Sequence, residues 1–411
     1  MNILFIHGNY PAQFKNLAAD LGRQHEHDVR FITARKDTDK FPLNRVKIVN
    51  YEDVNANDRE FSSEVDGILW EHSRRGEIIQ LKIVEMINSG FTPKLIIYHG
   101  GNGIGLFLKQ MLPNTKIIGY FEWYFSNRCA SLILNRTDLR ALNFVKARNL
   151  SMINEIIESD GCVVPTSWQA SQFPKKIQSE LTIIFDGVDT RFFRPSISNL
   201  FEQVVDIKGE SGRVRVEPNE LLLSYATRGM EPMRGFPEFM RALPKLLEEL
   251  PNLKVLVGGR DRSAYGKPCE THNGSWKDMI LDELPVLQEE PRIIYTGLMN
   301  YENYRKMLQR SNLHCYLTRP YVTSWSLFEA VSCGTPIITN ESPATTGTID
   351  NLSQETIIKH IDDIYKPKGI ELIIKMIATD KPRTHNLSQK YTINSAMSNW
   401  QALINRCLTQ A

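Results

Sequence analysis

The chain has 411 residues, of which 42% are hydrophobic and 23% charged, and its formal net charge is +2. This composition is that of an ordinary globular protein and excludes an intrinsically disordered chain. The small net charge argues against nucleic acid as a partner. One hydrophobic core rarely grows beyond about 250 to 300 residues, so the length predicts two domains.

The cysteine pattern and the lengths of the apolar stretches indicate the cellular compartment. The six cysteines are scattered and include no CxxC pair, so neither a metal-binding nor a disulfide framework is expected. Because no stretch of about 18 apolar residues occurs, no membrane-spanning helix is expected. The apolar run at residues 1–8 is too short for a signal-peptide core and predicts a buried strand. We expect a cytoplasmic protein with at most peripheral membrane association.

The first half of the chain alternates short apolar runs with segments of helical period, which is typical of strand-helix-strand units. A helix is predicted at residues 11–21. The predicted strands are 2–7, 29–33, 67–70, 95–98, 116–121, 161–164 and 181–184. Residues 1–190 are therefore predicted to form an α/β domain with a Rossmann-like parallel sheet.

The same pattern returns after residues 191–219, where turn formers and charges predict a linker. Residues 220–375 are predicted to form a second Rossmann-like domain. Its predicted strands are 221–225, 254–257, 292–295, 314–317 and 336–339, and its helices lie near 236–250, 301–309 and 324–333. Residues 376–411 are predicted as C-terminal helices that can pack back on the first domain. The expected architecture is two parallel-sheet domains facing each other across a cleft.

Two arginines follow the first predicted strand of the second domain. Ligands of open parallel sheets bind at the carboxyl ends of the strands, and Arg228 and Arg234 are expected on one short loop there. Two guanidiniums so placed would clamp a diphosphate and stabilise its charge as it departs. The alternative is that both are solvated loop charges.

The predicted helix that starts near Ser324 is a second candidate for anion binding. Its exposed N–H groups and dipole would favour a phosphate beside Ser324 and Ser326. Glu329, one turn further along, could accept hydrogen bonds from two ribose hydroxyls. The alternative is ordinary serine capping with a glutamate facing solvent.

These segments resemble the donor half of the family-4 retaining glycosyltransferases, which have the GT-B fold. The resemblance rests on the two arginines, the segment Leu-Phe-Glu-Ala-Val-Ser-Cys-Gly-Thr-Pro-Ile-Ile at 327–338, Asp-Gly-Val-Asp at 186–189 with Phe-Arg-Pro at 193–195, and Gly-Gly at 258–259. It is closest to a bacterial subgroup with His-Gly-Asn-Tyr-Pro-Ala-Gln-Phe at 7–14, Tyr-Phe-Glu at 120–122 and Ser-Trp-Ser-x-x-Glu at 324–329. It covers roughly residues 1–345.

The resemblance implies a donor site made by the second domain. Arg228 and Arg234 would bind the donor phosphates and act in catalysis, and Glu329 would bind the ribose. The other residues implied for the donor are Gly8, Asn9, Gly259, Gly297, Met299, Tyr321, Ser324, Trp325, Ser326 and Leu327. The donor would be a UDP- or GDP-linked sugar, and the resemblance implies transfer with retention and without a metal or other cofactor.

The resemblance places the acceptor on the first domain, beside Asn9, His99, Glu122 and Trp123. The acceptor would be a glycan, a lipid-linked molecule or a protein. Glu122 stands where many relatives have a histidine, and could take the acceptor proton as a catalytic residue. A buried structural carboxylate is the alternative for Glu122, and a core position is the alternative for Trp123.

Two positions depart from the family pattern. Tyr321 precedes Glu329 by eight residues, in the region where a glutamate usually binds the donor sugar, and Gly347 stands where a glutamate is frequent. A protein of this fold that binds nucleotide sugars without turning them over is therefore the second functional hypothesis. A third is an isomerase of the same architecture.

Two further motifs are set aside. Asp37 and Asp39 have a spacing used for manganese in other transferases, but they lie in a lysine-rich polar stretch. Residues 99–105 carry four glycines after a predicted strand, yet Leu106 stands where a GxGxxG motif needs its last glycine. These glycines are expected to let the backbone approach a ligand, with His99 either lining the cleft or capping the strand.

Overall fold

The computed structural model describes residues 1–55, 59–349, 356–379, 383–384 and 387–409. They form two compact units. The first contains residues 1–131 and 136–187 together with the chain from residue 393 onward, and the second contains 132–135 and 188–392.

A seven-stranded parallel sheet organises the first unit. Its strands are β1 (Asn2–Ile6), β2 (Asp28–Thr33), β3 (Val46–Asn50), β4 (Leu95–His99), β5 (Lys116–Tyr120), β6 (Gly161–Val164) and β7 (Leu181–Ile183). They are arranged in the order β3-β2-β1-β4-β5-β6-β7. Because the strand order reverses between β1 and β4, the residues that follow these two strands lie at the position where such sheets bind ligands.

Helices connect these strands: α1 (Lys15–Arg23), α2 (Glu64–Asn88), α3 (Leu108–Met111), α4 (Asn127–Leu134), α5 (Leu139–Glu158), α6 (Ser167–Ala170) and α7 (Lys175–Gln178). The apolar run of β1 is continuous because both faces of the sheet are covered. Ile3 and Phe5 belong to one core cluster, and Leu4 and Ile6 belong to another.

One prediction for this unit was wrong, and one strand was not predicted. Residues 67–70 were predicted as a strand but lie in α2, whose start is capped by the Ser63 side chain accepting from the Asp66 N–H. A four-residue apolar run does not distinguish a strand from a buried turn of helix. Strand β3 was missed because it is an edge strand whose residues are only half buried or exposed.

The second unit has a six-stranded parallel sheet: β10 (Leu221–Gly229), β11 (Leu253–Arg260), β12 (Ile293–Gly297), β13 (Leu313–Tyr316), β14 (Ile337–Asn340) and β15 (Ile357–Ile358). The order is β12-β11-β10-β13-β14-β15. The connecting helices are α8 (Phe236–Glu249), α9 (Trp276–Glu283), α10 (Tyr301–Arg310), α11 (Trp325–Ser332) and α12 (Pro367–Ala378). The strand order reverses between β10 and β13. Each unit is thus a Rossmann-like α/β domain.

The boundary between the units differs from the predicted linker at 191–219. The second unit begins at residue 188, and the segment forms an antiparallel hairpin of β8 (Val205–Gly209) and β9 (Gly212–Val216). The hairpin tip pairs with the chain after β12, where Glu210 N–H donates to Leu298 O at 2.9 Å and Ser211 N–H to Thr296 O at 3.1 Å. These partners are distant in sequence, so composition alone suggested a linker.

The last helix, α13 (Ile393–Thr409), belongs to the first unit. Trp400, Leu403, Ile404 and Cys407 join the same core cluster as Ile3 and Phe5. The two ends of the described chain therefore share one hydrophobic core.

Candidate functional site

A pocket in the second unit lies at the carboxyl ends of its central strands. Two adjoining depressions share Ala226, Thr227, Arg228, Ser324 and Ser326 as lining residues. One extends to Arg234, Tyr265 and Tyr316, and the other to Gly258, Gly259, Gly297, Leu298, Met299 and Tyr304. We call the combined space the strand-end pocket. It adjoins the point where the strand order reverses, between β10 and β13.

Arg234 is held rigidly at this pocket. Only 5% of the residue is exposed, and its guanidinium donates from Nη1 to Thr318 Oγ1 at 2.8 Å and from Nη2 to the Val322 carbonyl at 3.2 Å. Neither acceptor carries a charge. Within the described residues Arg234 forms no ion pair. The Glu231 carboxylate acts on it electrostatically but forms no ion pair with it, so this buried cation is suited to an anionic ligand.

Arg228 is the exposed member of the pair. The sequence placed it on a loop, but it lies near the end of β10, where the register with β11 shifts between Ala226 and Gly229. It too forms no ion pair among the residues that the structure describes. The two arginines line the same depression, which favours the clamp over the alternative of unrelated solvated charges.

The start of α11 completes one wall of the pocket. The Ser324 side chain does not cap the helix, and its Oγ instead lies 2.9 Å from Ser326 Oγ. Glu329 is 8% exposed. Ordinary serine capping with a solvent-facing glutamate is therefore not what the structure shows. Leu327 is fully buried, so only its backbone remains for the predicted role.

Glu329 and Arg228 both act on Tyr301, the first residue of α10. Partial burial and the negative charge of Glu329 together raise the pKa of Tyr301 to about 12, and Arg228 opposes this shift. The carboxylate predicted for the ribose and one of the predicted phosphate ligands thus act electrostatically on one phenol. Trp325 is half-buried at the beginning of α11.

A pair of tyrosines, of which Tyr265 lines the pocket, packs beside Arg234. The Arg234 guanidinium carbon lies 5.0 Å from the Tyr265 ring centroid, and Tyr265 meets Tyr321 edge to face at 5.4 Å. Tyr265 was missed by the sequence analysis, although it follows β11 and so occupies a strand-end loop. Its backbone N–H donates to Glu231 Oε2 at 2.8 Å. Burial raises the pKa of Glu231 to about 7.

The predicted nucleotide loop lies in the second depression. Gly259 has a φ of +120°, and a Cβ there would lie 2.1 Å from the Thr227 carbonyl, so only glycine fits. The segment containing Gly297 and Met299 borders the same space and is bonded to the β8–β9 hairpin. Gly347, in contrast, lies in the turn at residues 343–348 and offers no side chain.

A separate group of polar side chains lies at the carboxyl ends of β1, β4 and β5 in the first unit. We call His7, Gln13, His99 and Glu122 the His7 cluster. The His7 and His99 rings are 4.4 Å apart between centroids. His99 Nε2 lies 3.8 Å from Glu122 Oε2, and Gln13 Nε2 donates to Glu122 Oε1 at 3.3 Å. The sequence had singled out two of these four residues.

Gly8 and Asn9 lie directly beside this cluster. The Asn9 N–H donates to His7 Nδ1 at 2.9 Å, and Arg35 Nη1 donates to Asn9 Oδ1 at 3.2 Å. Arg35 in turn pairs with Asp37 at 2.7 Å. The carboxylate set aside as a metal ligand therefore forms an ion pair that supports the loop.

Trp123 occupies a core position. It is 5% exposed, its indole N–H donates to Cys129 Sγ at 3.3 Å, and its ring packs on Trp168 at 5.9 Å. This burial favours the core alternative over stacking on an acceptor.

The backbone N–H groups of the glycine-rich segment at 99–105 are bonded to a side chain of the same protein. Glu155 accepts from the Gly101 N–H at 2.5 Å and from the Gly105 N–H at 3.1 Å. Glu155 is 1% exposed, and burial raises its pKa to about 7. An internal carboxylate thus occupies the amides that a ligand phosphate would need.

Comparison with known proteins assigns the class. Residues 25–193 match the family model of the glycosyl transferase family 4 group, and residues 213–390 match that of glycosyl transferases group 1. The two matches take in most of the chain, which therefore belongs to the glycosyltransferases. No curated protein matches the sequence.

Solved structures show the same architecture at low identity. Sucrose-phosphate synthase from Thermosynechococcus elongatus has a TM-score of 0.65 at 12% identity, with 99% of this chain and 98% of that chain covered. Anabaena Alr3699/HepE, solved in complex with UDP-glucose, has a TM-score of 0.65 at 10% identity, with 99% and 100% covered. A glycosyltransferase from Rickettsia africae has a TM-score of 0.64 at 12% identity, with 100% and 99% covered. The fold is GT-B.

Among the described residues, no helix has the length and apolar character needed to cross a membrane.

Proposed function

We propose that this chain is a retaining, metal-independent glycosyltransferase that moves a sugar from a UDP- or GDP-linked donor to a glycan, lipid-linked or protein acceptor. The observation that carries the proposal is the pair of guanidiniums, Arg228 and Arg234, that line one pocket without an ion-pair partner in the described chain. A nucleoside diphosphate would supply the missing negative charge.

The chemistry follows from where charge develops. When the bond from the sugar to the diphosphate breaks, negative charge grows on the leaving oxygen, and Arg228 and Arg234 would stabilise it. Arg234 is already fixed by Thr318 and Val322, so little reorganisation is needed. Glu329 would bind the ribose. Glu122 would accept the proton of the acceptor hydroxyl, since its side chain is 37% exposed.

Support for a nucleotide-sugar donor comes from the comparisons. Both family models describe glycosyltransferases, and Anabaena Alr3699/HepE was solved with UDP-glucose. The subgroup that carries the Tyr-Phe-Glu and Ser-Trp-Ser segments, the retaining outcome and the choice between uridine and guanosine are parts of the proposal.

The first experiment is a melting-temperature screen with UDP, GDP and ADP, each with and without a chelator. We expect one nucleotide to raise the melting temperature, with no effect of the chelator. Transfer is then tested with the sugar nucleotides of that base, and the anomeric configuration of the product is determined by NMR. Inversion, or complete loss of transfer with chelator, contradicts the mechanism.

A binding protein without turnover is the second candidate. It is favoured by Tyr321, whose ring packs on Tyr265 in the region where the family pattern has a carboxylate for the donor sugar. Such a protein would show the nucleotide-dependent melting shift but would release no nucleotide from any donor, with or without acceptor. Release of nucleotide from the donor decides for the transferase.

A further inference from the structure

The His7 cluster contains a hydrogen-bond chain whose direction is fixed by the backbone. The Asn9 N–H can only donate, and it points to His7 Nδ1 at 2.9 Å. Nδ1 must therefore be unprotonated, which places the proton of the neutral imidazole on Nε2. Burial and the neighbouring His99 lower the pKa of His7 well below its usual value, which favours the same neutral form.

The next link orients the amide of Gln13. His7 Nε2 lies 2.9 Å from Gln13 Oε1, and since this nitrogen carries the proton, it donates. The amide oxygen of Gln13 is thereby assigned, so Gln13 Nε2 faces Glu122 and donates to Oε1 at 3.3 Å. No flip of the amide satisfies both neighbours, because a carboxylate only accepts.

The chain ends on a carboxylate that reaches the surface. Glu122 is also fixed through its backbone, where Gln169 Nε2 donates to the carbonyl oxygen at 2.8 Å. With Oε1 bonded to Gln13, the other carboxylate oxygen lies toward His99, whose two ring nitrogens have no hydrogen-bond partner among the described residues. A hydrogen bond donated to a carboxylate stabilises its ionised form.

We propose that His7 and Gln13 are positioning residues that hold Glu122 ionised and oriented toward His99, through the directed chain Asn9 N–H to His7 to Gln13 to Glu122. This inference rests on the proposed function, in which Glu122 receives the acceptor proton. It adds that the proton-accepting ability of Glu122 is set from the end of β1, more than a hundred residues away in sequence.

The test is a double-mutant cycle. Gln13→Met keeps the length of the side chain and removes both hydrogen bonds of its amide group. Glu122→Gln removes the carboxylate. We expect Gln13→Met to lower kcat about tenfold, the size typical of one hydrogen bond to a charged group, with an unchanged KM for the donor. In the Glu122→Gln background the same change should have no further effect, because Gln13 acts through the carboxylate.

Gln178→Met is the matched control. Gln178 is another half-buried glutamine of the first unit, and its amide donates to the Phe173 carbonyl at 2.7 Å, away from the cluster. It should retain full activity. His7→Gln, which keeps a side-chain N–H for Gln13, should retain more activity than His7→Phe. Equal losses from Gln13→Met in both backgrounds would show a merely structural role and overturn the inference, as would no loss in either.

A measurement independent of turnover separates this inference from the proposed function. The ¹⁵N spectrum of the histidines should show His7 with an unprotonated Nδ1 and a protonated Nε2 at pH 7. A protonated Nδ1 overturns the directed hydrogen-bond chain, even in a protein that transfers sugar. If wild-type protein transfers no sugar from any donor while His7 shows the expected tautomer, the proposed function fails and the directed hydrogen-bond chain stands.

Discussion

The glycine-rich segment of the first unit and the strand-end pocket of the second unit occupy equivalent places, after strands at the centre of a parallel sheet. In the first unit the amides of Gly101 and Gly105 are bonded to the protein's own carboxylate, Glu155. In the second unit Arg228 and Arg234 line an open depression and have no ion-pair partner among the residues described. The backbone donors of the first unit are bonded to a side chain of the same protein, whereas the guanidiniums of the second unit can bind a ligand.

The comparison explains why a glycine-rich loop is weak grounds for predicting a phosphate site. Glycines permit close approach to the backbone, but what approaches can be a side chain of the same protein. The decisive observation is whether the donors of the site already have an acceptor inside the fold. The amides of Gly101 and Gly105 have Glu155 as their acceptor, whereas no carboxylate within the described residues forms an ion pair with Arg234.

The largest expected effect comes from glycines that the backbone requires. A Cβ on Gly103, at φ +89°, would lie 2.0 Å from the His72 carbonyl, whereas a Cβ on Gly212, at φ +129°, would meet no atom within 4 Å. We expect Gly103→Ala to lower the free energy of unfolding by about 4 kcal/mol, from overpacking added to backbone strain. Gly212→Ala should lose about 1 kcal/mol, from strain alone. Urea denaturation measures both, and equal losses would contradict the clash.

The second largest effect is expected from removal of the Glu155 carboxylate. Glu155→Ala leaves two buried amides unsatisfied and should cost about 3 kcal/mol in the free energy of unfolding. If the carboxylate fills an anion site, sulfate should raise the melting temperature of this variant more than that of the wild type. An identical response to sulfate in both proteins would break the comparison between the two units.

Substitution of the pocket arginines should lower the affinity for a nucleoside diphosphate. Arg234→Ala should weaken nucleoside diphosphate binding about thirtyfold, or about 2 kcal/mol, since a charge-assisted hydrogen bond is lost. Arg228→Ala should lose less, because its side chain is exposed. Arg241→Ala is the control, since Arg241 is paired with Glu283 at 2.6 Å in the same unit. Calorimetric titration measures the dissociation constants. Unchanged values for both pocket variants would contradict the hypothesis that the two arginines clamp a diphosphate.

The last prediction is a pH dependence of stability, which is small for each single pH unit. The pKa of Glu155 is about 7 in the folded protein and about 4.3 in an unfolded chain. The folded state therefore binds more protons between these values, and the contribution of Glu155 to stability is complete below about pH 4.3 and is lost as the pH rises through 7. The slope is at most about 1.4 kcal/mol per pH unit. Glu155→Gln should flatten it, and a slope unchanged in this variant would assign the titration elsewhere.

Much of the fold was readable from local patterns. The parallel-sheet class and most strands of both units followed from apolar runs, because a strand buried on both faces needs a continuous apolar sequence. The errors fell where that link fails. Strand β3 is an edge, residues 67–70 are one apolar turn of a long helix, and the β8–β9 hairpin has exposed residues on one face.

The candidate site likewise has residues that the sequence predicts and contacts that it does not. Arg228, Arg234, Ser324, Ser326 and Glu329 could be named from the sequence, because strand ends and helix starts are local features and their motif resembles a family. The sequence could not show that Arg234 is buried beside Tyr265, that Glu155 fills the glycine-rich segment, or that Gln13 bonds to Glu122. Each of these contacts joins residues about 30 to 110 positions apart. The sequence by itself determined which segments are strands and helices and which loops carry charge. Only the tertiary structure decided which charges meet, because the order of strands in the sheet sets those distances and periodicity along the chain does not record it.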